Sequence, residues 1–276
     1  MDIRNSANPV DVRKYYDTEA LRKEFLIEGL FAADSIPMVY SHVDRMITGS
    51  ACPVASSLRL ECGRELGVDF FLQRREMAVL NIGDAGTICA DGTEYLLNRY
   101  EALYVGMGTK DVEFRREAGK APRFYLLSCP AHRSYPTTLI TKDMSVKQAL
   151  GSKKECNERI INKYIHPDVV KSCQLSMGMT ELAEGSVWNT MPTHTHERRM
   201  EVYLYFNMPE NGIVFHFMGE PNELRHIVVR DCQAVISPSW SIHSGVGTNS
   251  YAFVWGMAGE NQTFSDMDAV PMSLLK

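Results

Sequence analysis

Hydrophobic and polar residues alternate with a period of two along several short stretches of this chain. The apolar face of these stretches is formed by Cys173, Leu175, Met177 and Met179, then by Ile213, Phe215 and Phe217, and then by Leu224, His226 and Val228. Successive side chains of a β-strand point to opposite faces, so each stretch predicts a strand with one face toward a core. The dipeptide Asp91-Gly92 predicts a hairpin turn, because glycine accepts the positive φ of a type I′ turn. Together these signals predict an all-β barrel or sandwich rather than a βαβ fold.

Two stretches depart from this alternation and predict helices. Residues 18–27 predict a short N-terminal helix, with Asp17 or Thr18 available as the N-cap and acidic residues in the first turn. A shorter helix is predicted at residues 143–150. Everything else in the pattern consists of short strands and turns.

A weak internal repeat suggests that the chain contains two barrels. The segment that begins at Glu76 runs parallel to the one that begins at Glu201, and residues 102–104 parallel residues 234–236. We therefore expect an N-terminal barrel at 1–140 and a C-terminal barrel at 141–276, with 133–170 as an extended connector. The repeat is too degenerate to demonstrate a duplication by itself.

Composition and charge exclude several classes of function. The chain has 276 residues, of which 45% are hydrophobic, and a net charge of −5, so nothing favours a nucleic-acid partner. Its N-terminus lacks the apolar core of a secretory signal, and no apolar stretch reaches the ~18 residues that a membrane span needs. The seven cysteines form no CxxC pair, which favours reduced thiols over a disulfide framework. We expect a soluble cytoplasmic protein with no membrane or nucleic-acid partner.

The residues that bear chemistry are concentrated in the second half. His194 and His196 are two positions apart, Glu201 follows five residues later, and His243 ends the segment Pro238–His243. Three imidazoles and one carboxylate suit Zn²⁺ and other divalent first-row metals. Each residue alone would be an ordinary surface or packing residue. The combination HxHx₄E with a later Px₄H in an all-β pattern predicts one divalent metal on His194, His196, Glu201 and His243.

Several neighbours of this motif are candidates for catalysis. Tyr203 and Tyr205 share the parity of Glu201 along the predicted strand, so Glu201, Tyr203 and Tyr205 are the candidates for proton transfer. Arg199 also shares that parity, and its guanidinium fork matches a carboxylate, so it is a candidate for substrate binding. The pair Arg198-Arg199 is equally well explained as a solvated strand end. His216 and His226 are expected to pack rather than to bind metal.

These motifs resemble the cupin superfamily, and longer strings resemble the 5-keto-4-deoxyuronate isomerase family in particular. The resemblance is carried by residues 1–4, 40–45, 104–111, 164–168 and, above all, 185–206 (GSVWNTMPTHTHERRMEVYLYF). It implies a bicupin, which consists of two double-stranded β-helix (jelly-roll) barrels. It also implies a zinc ion on the four ligands and a homo-hexamer.

The activity implied by the resemblance is an aldose–ketose isomerisation of a uronate. It interconverts 5-dehydro-4-deoxy-D-glucuronate and 3-deoxy-D-glycero-2,5-hexodiulosonate, a step in the breakdown of pectin and other sources of unsaturated uronates. The N-terminal half departs from the metal motif, because Asp69 and Phe71 replace the paired histidines and Asp111 replaces the third one. The first barrel is therefore expected to hold no metal.

The sequence leaves three other functions open. A deoxy-glucuronate isomerase of inositol catabolism would share the fold and the metal ligands. A non-catalytic sugar-binding cupin would retain the metal only as a vestige, which the intact ligand set disfavours. An Fe(II) dioxygenase is compatible with the ligand types alone. The sequence contains neither a GxGxxG nor a GxxxxGK[ST] motif, so we expect no nucleotide cofactor.

Overall fold

The computed structural model describes residues 1–5, 7–260 and 263–276 and confirms an all-β fold. The strands of the first half are β1 (Asp2–Arg4), β2 (Leu26–Ile27), β3 (Met38–Ser41), β4 (Ile47–Ala51), β5 (Leu58–Arg59), β6 (Arg75–Asn81), β7 (Gly86–Ala90), β8 (Thr93–Leu97), β9 (Ala102–Val105), β10 (Val112–Arg116), β11 (Phe124–Pro130) and β12 (Thr138–Ile140). Those of the second half are β13 (Val146–Leu150), β14 (Arg159–Ile165), β15 (Ser176–Leu182), β16 (Trp188–Asn189), β17 (His194–Thr195), β18 (Arg199–Phe206), β19 (Val214–Glu220), β20 (Glu223–Val229), β21 (Gln233–Ser237), β22 (Ser244–Gly247), β23 (Ala252–Gly259) and β24 (Asp268–Ala269).

Two short helices lie near the N-terminus. Helix α1 (Pro9–Tyr15) was not predicted; the Asn8 side chain caps it by accepting from the Asp11 amide at 2.9 Å. Helix α2 (Thr18–Phe25) confirms the predicted helix, and Asp17 is its N-cap, accepting from the Ala20 amide at 2.9 Å. No helix in the described ranges is long and apolar enough to cross a membrane.

The predicted helix at 143–150 is wrong. Residues Lys142–Met144 form one 3₁₀ turn, and Ser145 ends it with an extended conformation (φ −65°, ψ 143°). The chain then continues as strand β13 at the edge of a sheet, next to β14. Pairing with that edge outweighs the modest helical preference of the segment.

The structure contains two compact units. The first comprises Met1–Ile3, Gly29–Val146 and Tyr164–Met177. Its larger sheet has the strand order β1-β3-β4-β11-β6-β9-β12 and its smaller sheet the order β5-β10-β7-β8. Their inward side chains, among them Ile47, Val79 and Phe114, form one hydrophobic core. The predicted hairpin is confirmed, because Asp91 and Gly92 both have positive φ (45° and 82°) between β7 and β8.

The second unit comprises Arg4–Glu28, Lys147–Lys163 and Gly178–Lys276. The strand order β13-β14-β15-β23-β18-β21-β2 forms the larger of its sheets, and β16-β22-β19-β20 forms the smaller. A two-stranded ribbon joins β17 to β24. In both units a central strand, β6 or β18, lies between the equivalents β11 and β23 on one side and β9 and β21 on the other. The two units therefore repeat one topology, as the weak sequence repeat suggested.

Neither unit is one continuous stretch of chain, in contrast to the predicted ranges 1–140 and 141–276. Strand pairing explains the difference: β2 pairs antiparallel with β21, with Leu26 opposite Val235. Helix α2 is tied to the same unit, because Arg22 Nη1 donates to the Val228 carbonyl at 3.0 Å. That the units are separate domains stays a prediction.

Two predicted strand faces are inverted in the structure. In β19 the buried side chains are Val214, His216 and Met218, whereas Phe215 and Phe217 are only partly buried. In β20 the inward residues are Ile227 and Val229, and His226 is exposed. Apolar residues occupy both faces of these strands, so alternation alone could not identify the inner one. The strand predicted from Cys173 begins only at Ser176, because the preceding amides bond to a buried carboxylate instead of a neighbouring strand.

Candidate metal centre

The four predicted ligands converge at one point in the second unit. Their donor atoms all lie within 4.8 Å of one another. His243 Nε2 is 2.9 Å from Glu201 Oε2 and 3.0 Å from His194 Nε2, and His196 Nε2 is 3.3 Å from the same Glu201 oxygen. Glu201 is 5% exposed and His243 is fully buried. No other cluster of metal-binding side chains occurs among residues 1–5, 7–260 and 263–276.

Local structure brings the ligands together from three directions. His194 lies in the ribbon strand β17, opposite Ala269 of β24, and His196 follows directly. Glu201 is the third residue of β18, where it is held between Ser237 of β21 and Met257 of β23. His243 immediately precedes β22. Residues two positions apart share one face of a strand, but β17 ends at Thr195, so His196 lies just beyond it.

A backbone contact sets the tautomer of His196. Its Nδ1 lies 2.9 Å from the Arg199 carbonyl oxygen, which accepts hydrogen bonds only. Nδ1 must therefore carry the proton, and Nε2 presents a lone pair toward Glu201. Metal-binding histidines are commonly oriented in this way by a second contact.

Electrostatics keep two of the ligands in the protonation states that bind metal. Burial lowers the pKa of His194 to about 2, and His243 acts in the same direction. Burial by itself would raise the pKa of Glu201, but the neighbouring imidazoles of His243 and His196 outweigh it and lower that pKa. At neutral pH His194 is neutral and Glu201 anionic, as metal binding requires.

The cluster opens into a cavity of about 400 Å³ within the second unit. Most of its walls are apolar side chains, with a smaller number of polar groups among them. Its lining includes Arg159, Thr190, Arg199, Tyr203, Trp255 and Phe264. Such a cavity, with apolar walls and few polar groups, is typical of a small-molecule site.

A glycine allows the aromatic wall of this cavity to form. A Cβ at Gly178 would lie 2.1 Å from Trp255 Cζ2, which no side chain can accommodate. Trp255 in turn contacts Phe264, with ring centroids 5.0 Å apart. Close packing of this wall therefore depends on the absence of a side chain at position 178.

The two tyrosines predicted as candidates for proton transfer have different surroundings. Tyr203 lines the cavity, its ring is 5.5 Å from that of His243, and its hydroxyl is 3.4 Å from Thr190 Oγ1. The Tyr205 hydroxyl instead bonds His216 Nδ1 at 2.8 Å. Burial raises the pKa of both phenols well above their usual value. Burial also lowers the pKa of His216 to about 3, so this histidine is a neutral packing residue.

The two adjacent arginines both bind the segment that follows β23. Arg198 forms ion pairs with Asp266 at 2.8 Å and Asp268 at 3.0 Å. The Arg199 guanidinium is buried and donates to the carbonyls of Thr263 at 3.1 Å and Asp266 at 3.0 Å. Arg199 also lines the cavity. Its predicted role in substrate binding stays a prediction.

The sequence prediction missed several residues of the cavity. Arg159, in β14, was assigned to the connector, and Thr190 belongs to a segment with no periodic pattern. The only signal in the sequence was that Thr190 lies a few positions before His194 and His196. In the first unit, Asp69 and Asp111 are exposed and Phe71 is buried in the core, so these equivalents of the ligands do not converge.

Fold and site together define the class to which this chain belongs. Residues 26–271 match the model of the KduI/IolB family, so the chain is a member of that family. The structure is similar to that of an IolB-like protein from Salmonella typhimurium LT2, with a TM-score of 0.68 and 14% identity over 79% of this chain and 85% of that one. It also resembles an oxalate decarboxylase from Lactobacillus farciminis, with a TM-score of 0.55 and 9% identity over 79% and 78% of the two chains. At these identities the likeness concerns the fold alone.

One curated relative is much more similar in sequence. The protein named 4-deoxy-L-threo-5-hexosulose-uronate ketol-isomerase from Lachnoclostridium phytofermentans is 58% identical over 277 residues, covering 100% of both chains. This similarity confirms the resemblance inferred from the sequence strings.

Proposed function

We propose that this protein is a metal-dependent ketol-isomerase that interconverts 5-dehydro-4-deoxy-D-glucuronate and 3-deoxy-D-glycero-2,5-hexodiulosonate. The observation that carries the proposal is the convergence of His194, His196, Glu201 and His243, within 4.8 Å, at a cavity large enough for a six-carbon acid. The full-length relative at 58% identity, which bears the name of this ketol-isomerase, supports the substrate and the type of reaction.

The reaction moves a proton between the carbons of an aldehyde and its neighbouring hydroxyl. A divalent ion on the four ligands would supply a Lewis acid, worth several kcal/mol for the negative charge that develops during proton transfer. Three imidazole nitrogens and one carboxylate oxygen fit such an ion, and His196 already has the tautomer that leaves its Nε2 lone pair available. We propose zinc as the resident ion, at one per chain.

The remaining work falls to side chains that line the cavity. Glu201 is anionic at neutral pH, so it is able to accept a proton. The raised pKa of Tyr203 keeps its phenol protonated, so Tyr203 acts as a hydrogen-bond donor or acid rather than as a base. Trp255 and Phe264 exclude water from the reacting carbons. Tyr205 is a weaker candidate, because its hydroxyl is directed at His216.

The experiment that tests the proposal is NMR of the product formed by zinc-loaded protein in deuterated water. We expect the 2,5-diketo product, no oxygen uptake, and deuterium at the hydroxymethyl carbon that derives from the substrate aldehyde. Oxygen consumption would favour a dioxygenase instead. Absence of turnover with this uronate and with the deoxy-glucuronate of inositol catabolism would favour a sugar-binding protein. Complete absence of label in the product would contradict proton exchange with solvent.

Metal content is a separate test of the same proposal. Elemental analysis of purified protein should give about one divalent metal per chain, because a complete N₃O set forms only once in the described residues. A value of two per chain would contradict a metal-free first unit. We also propose a homo-hexamer in the cytoplasm, which rests on the family resemblance and is checked by light scattering and cell fractionation.

A further inference from the structure

One cationic side chain of the cavity has no assigned task. Arg159 begins strand β14, and both Arg159 and Ile161 line the cavity, as expected for residues two apart on one strand face. Its Nη1 donates to the Asn157 carbonyl at 2.8 Å, which anchors one side of the guanidinium. Its Nε is buried and has no hydrogen-bond partner among the residues that the structure describes. A buried donor without an acceptor is costly, and proteins usually retain one only where it has a use.

The environment of Arg159 favours an anion as the missing partner. The buried guanidinium is less well solvated than it would be in water, and this loss of solvation lowers its pKa. Arginine nevertheless remains protonated at neutral pH, and its fork matches a carboxylate. The other arginine in the lining, Arg199, directs its fork at the carbonyls of Thr263 and Asp266. Among the described residues of the lining, these two are the only arginine or lysine side chains.

The position of Arg159 in the same cavity as the candidate metal centre also fits a role in binding an anionic group of the substrate. Arg159 and Tyr203 line the same cavity, and the Tyr203 ring is 5.5 Å from the ring of His243. Burial and Glu201 raise the pKa of Tyr203, and the charge of Arg159 lowers it in part. A 4-deoxy-5-keto uronate has its reacting aldehyde at one end and its carboxylate at the other. The cavity therefore offers a different recognition group for each end of such a molecule.

We infer that Arg159 binds the carboxylate of the substrate and orients the opposite end of the sugar chain toward His194, His196, Glu201 and His243. This inference rests on the proposed function, because it takes a uronate as the substrate. It assigns Arg159 to the selection of sugar acids over neutral sugars. It also distinguishes Arg159, which has an unused donor, from Arg199, which supports the cavity wall.

The test compares Arg159→Gln and Arg159→Lys with the wild type, with Arg230→Gln, an exposed arginine of the same unit, as the matched control. Loss of one charge-assisted contact should raise KM for the uronate by about 10–100-fold in Arg159→Gln and leave kcat within a few-fold. Arg159→Lys should fall between the wild type and Arg159→Gln, because lysine keeps the charge without the fork. Metal content should not fall, and the thermal midpoint should fall only slightly, since the substitution removes the hydrogen bond to the Asn157 carbonyl.

Calorimetric titration with D-glucuronate and D-glucose separates this inference from the proposed function. Wild-type protein should bind glucuronate more tightly than glucose, and Arg159→Gln should lose that preference while Arg230→Gln keeps it. Equal preference in the wild type and Arg159→Gln, or no preference in either, would overturn the inference, as would an unchanged KM. Wild-type protein that prefers glucuronate but fails to isomerise the uronate would contradict the proposed function while leaving the role of Arg159 supported.

Discussion

Glu76 and Glu201 occupy equivalent places in the two units, and their surroundings differ completely. Glu76 lies on β6, between β9 and β11, and Glu201 lies on β18, between β21 and β23. Both carboxylates are buried. A buried carboxylate is stable only when charges or hydrogen-bond donors compensate for lost hydration, and the two units satisfy that requirement by different means.

In the second unit, imidazoles surround the carboxylate and form the candidate metal centre. In the first, the polypeptide backbone provides the compensation: Glu76 Oε1 accepts from the amides of Gln174 and Leu175, both at 2.9 Å, and Oε2 accepts from the Cys173 amide at 2.7 Å. Tyr104 donates its hydroxyl to Oε2 at 2.7 Å. Carboxylates at equivalent strand positions thus contact three imidazoles in one unit and hold a loop in the other.

The largest effect is expected from removing a ligand in the second unit. His196→Ala and His243→Ala should each lose most of the metal and reduce kcat/KM by about 10³-fold or more, since the Lewis acid contributes several kcal/mol. The far-UV circular dichroism should stay close to that of the wild type, because the core of each sheet does not depend on the site. Metal analysis and kinetics check both expectations.

His226→Ala is the matched control, because His226 is exposed on the same unit. It should retain metal and activity. If the two ligand variants instead lost their β-sheet signal, the metal would have a structural role, and the contrast between the units would have to be abandoned.

Tyr203→Phe should produce the next largest loss. The equivalent position in the first unit, two residues after Glu76, is Ala78, so a hydroxyl is present only beside the metal centre. Loss of a positioned acid or hydrogen-bond donor should lower kcat by about 10²-fold while metal content stays at one per chain. An unchanged kcat would eliminate Tyr203 from proton transfer and leave Glu201 as the remaining candidate in the cavity.

The complementary change in the first unit should affect stability instead of activity. Glu76→Gln replaces a charged acceptor of three amides with a neutral group, which should lower the free energy of unfolding by about 3 kcal/mol. Metal content and kcat should be unaffected. Urea denaturation measures the change, and Glu61→Gln, at an exposed position, should leave stability unaltered. Loss of metal in Glu76→Gln would show that the two sites are not independent.

Sequence alone predicted the fold class and the four residues that converge in the second unit, because both depend on local or strongly restricted patterns. The helix at 18–27 has a capping residue and an acidic first turn, and the structure confirms it as Thr18–Phe25. The four ligands combine side chains that few other functions require together. The strand faces of β19 and β20 were predicted wrongly, because apolar residues lie on both faces and only the packed structure distinguishes them.

The residues that escaped prediction are those whose role depends on long-range contacts. Arg159 lies 35 positions before His194 in the chain, and nothing in the local pattern indicates that the two share a cavity. The loop that Glu76 holds was interpreted as the start of a strand, because its apolar alternation resembles one. Its amides bind a carboxylate 97 to 99 positions away, a partner that no local pattern reveals.

A smaller loss is expected for Arg199→Lys. One ammonium group cannot replace a fork that donates to the Thr263 and Asp266 carbonyls, so the cavity wall should loosen while the metal is retained. We expect kcat/KM to fall by one to two decades, the equivalent of roughly 1.5–3 kcal/mol. Arg74, the exposed equivalent two residues before Glu76, provides the control. Arg74→Lys should leave kcat/KM unchanged.

Limited proteolysis then distinguishes the two roles of Arg199. Faster cleavage within 263–268 in Arg199→Lys would support a role of Arg199 in holding the cavity wall. An unchanged cleavage rate with a raised KM would support direct binding of the substrate by Arg199. A loss of metal in this variant would contradict both roles, because the guanidinium would then be needed to keep the neighbouring ligands in place.

The smallest effect should come from Tyr205→Phe. The Tyr205 hydroxyl bonds His216 Nδ1 at 2.8 Å, and the equivalent position in the first unit is Leu80, so packing at this site does not require a hydroxyl. Removing it leaves one buried imidazole nitrogen unpaired, which should lower stability by about 1–2 kcal/mol. Because Tyr205 does not line the cavity, kcat should change by no more than about threefold, well below the general-acid contribution expected for Tyr203. A loss of kcat as large as that of Tyr203→Phe, with metal and fold intact, would place the proton-transfer group on Tyr205 and would require the Tyr205–His216 pair to act as a relay.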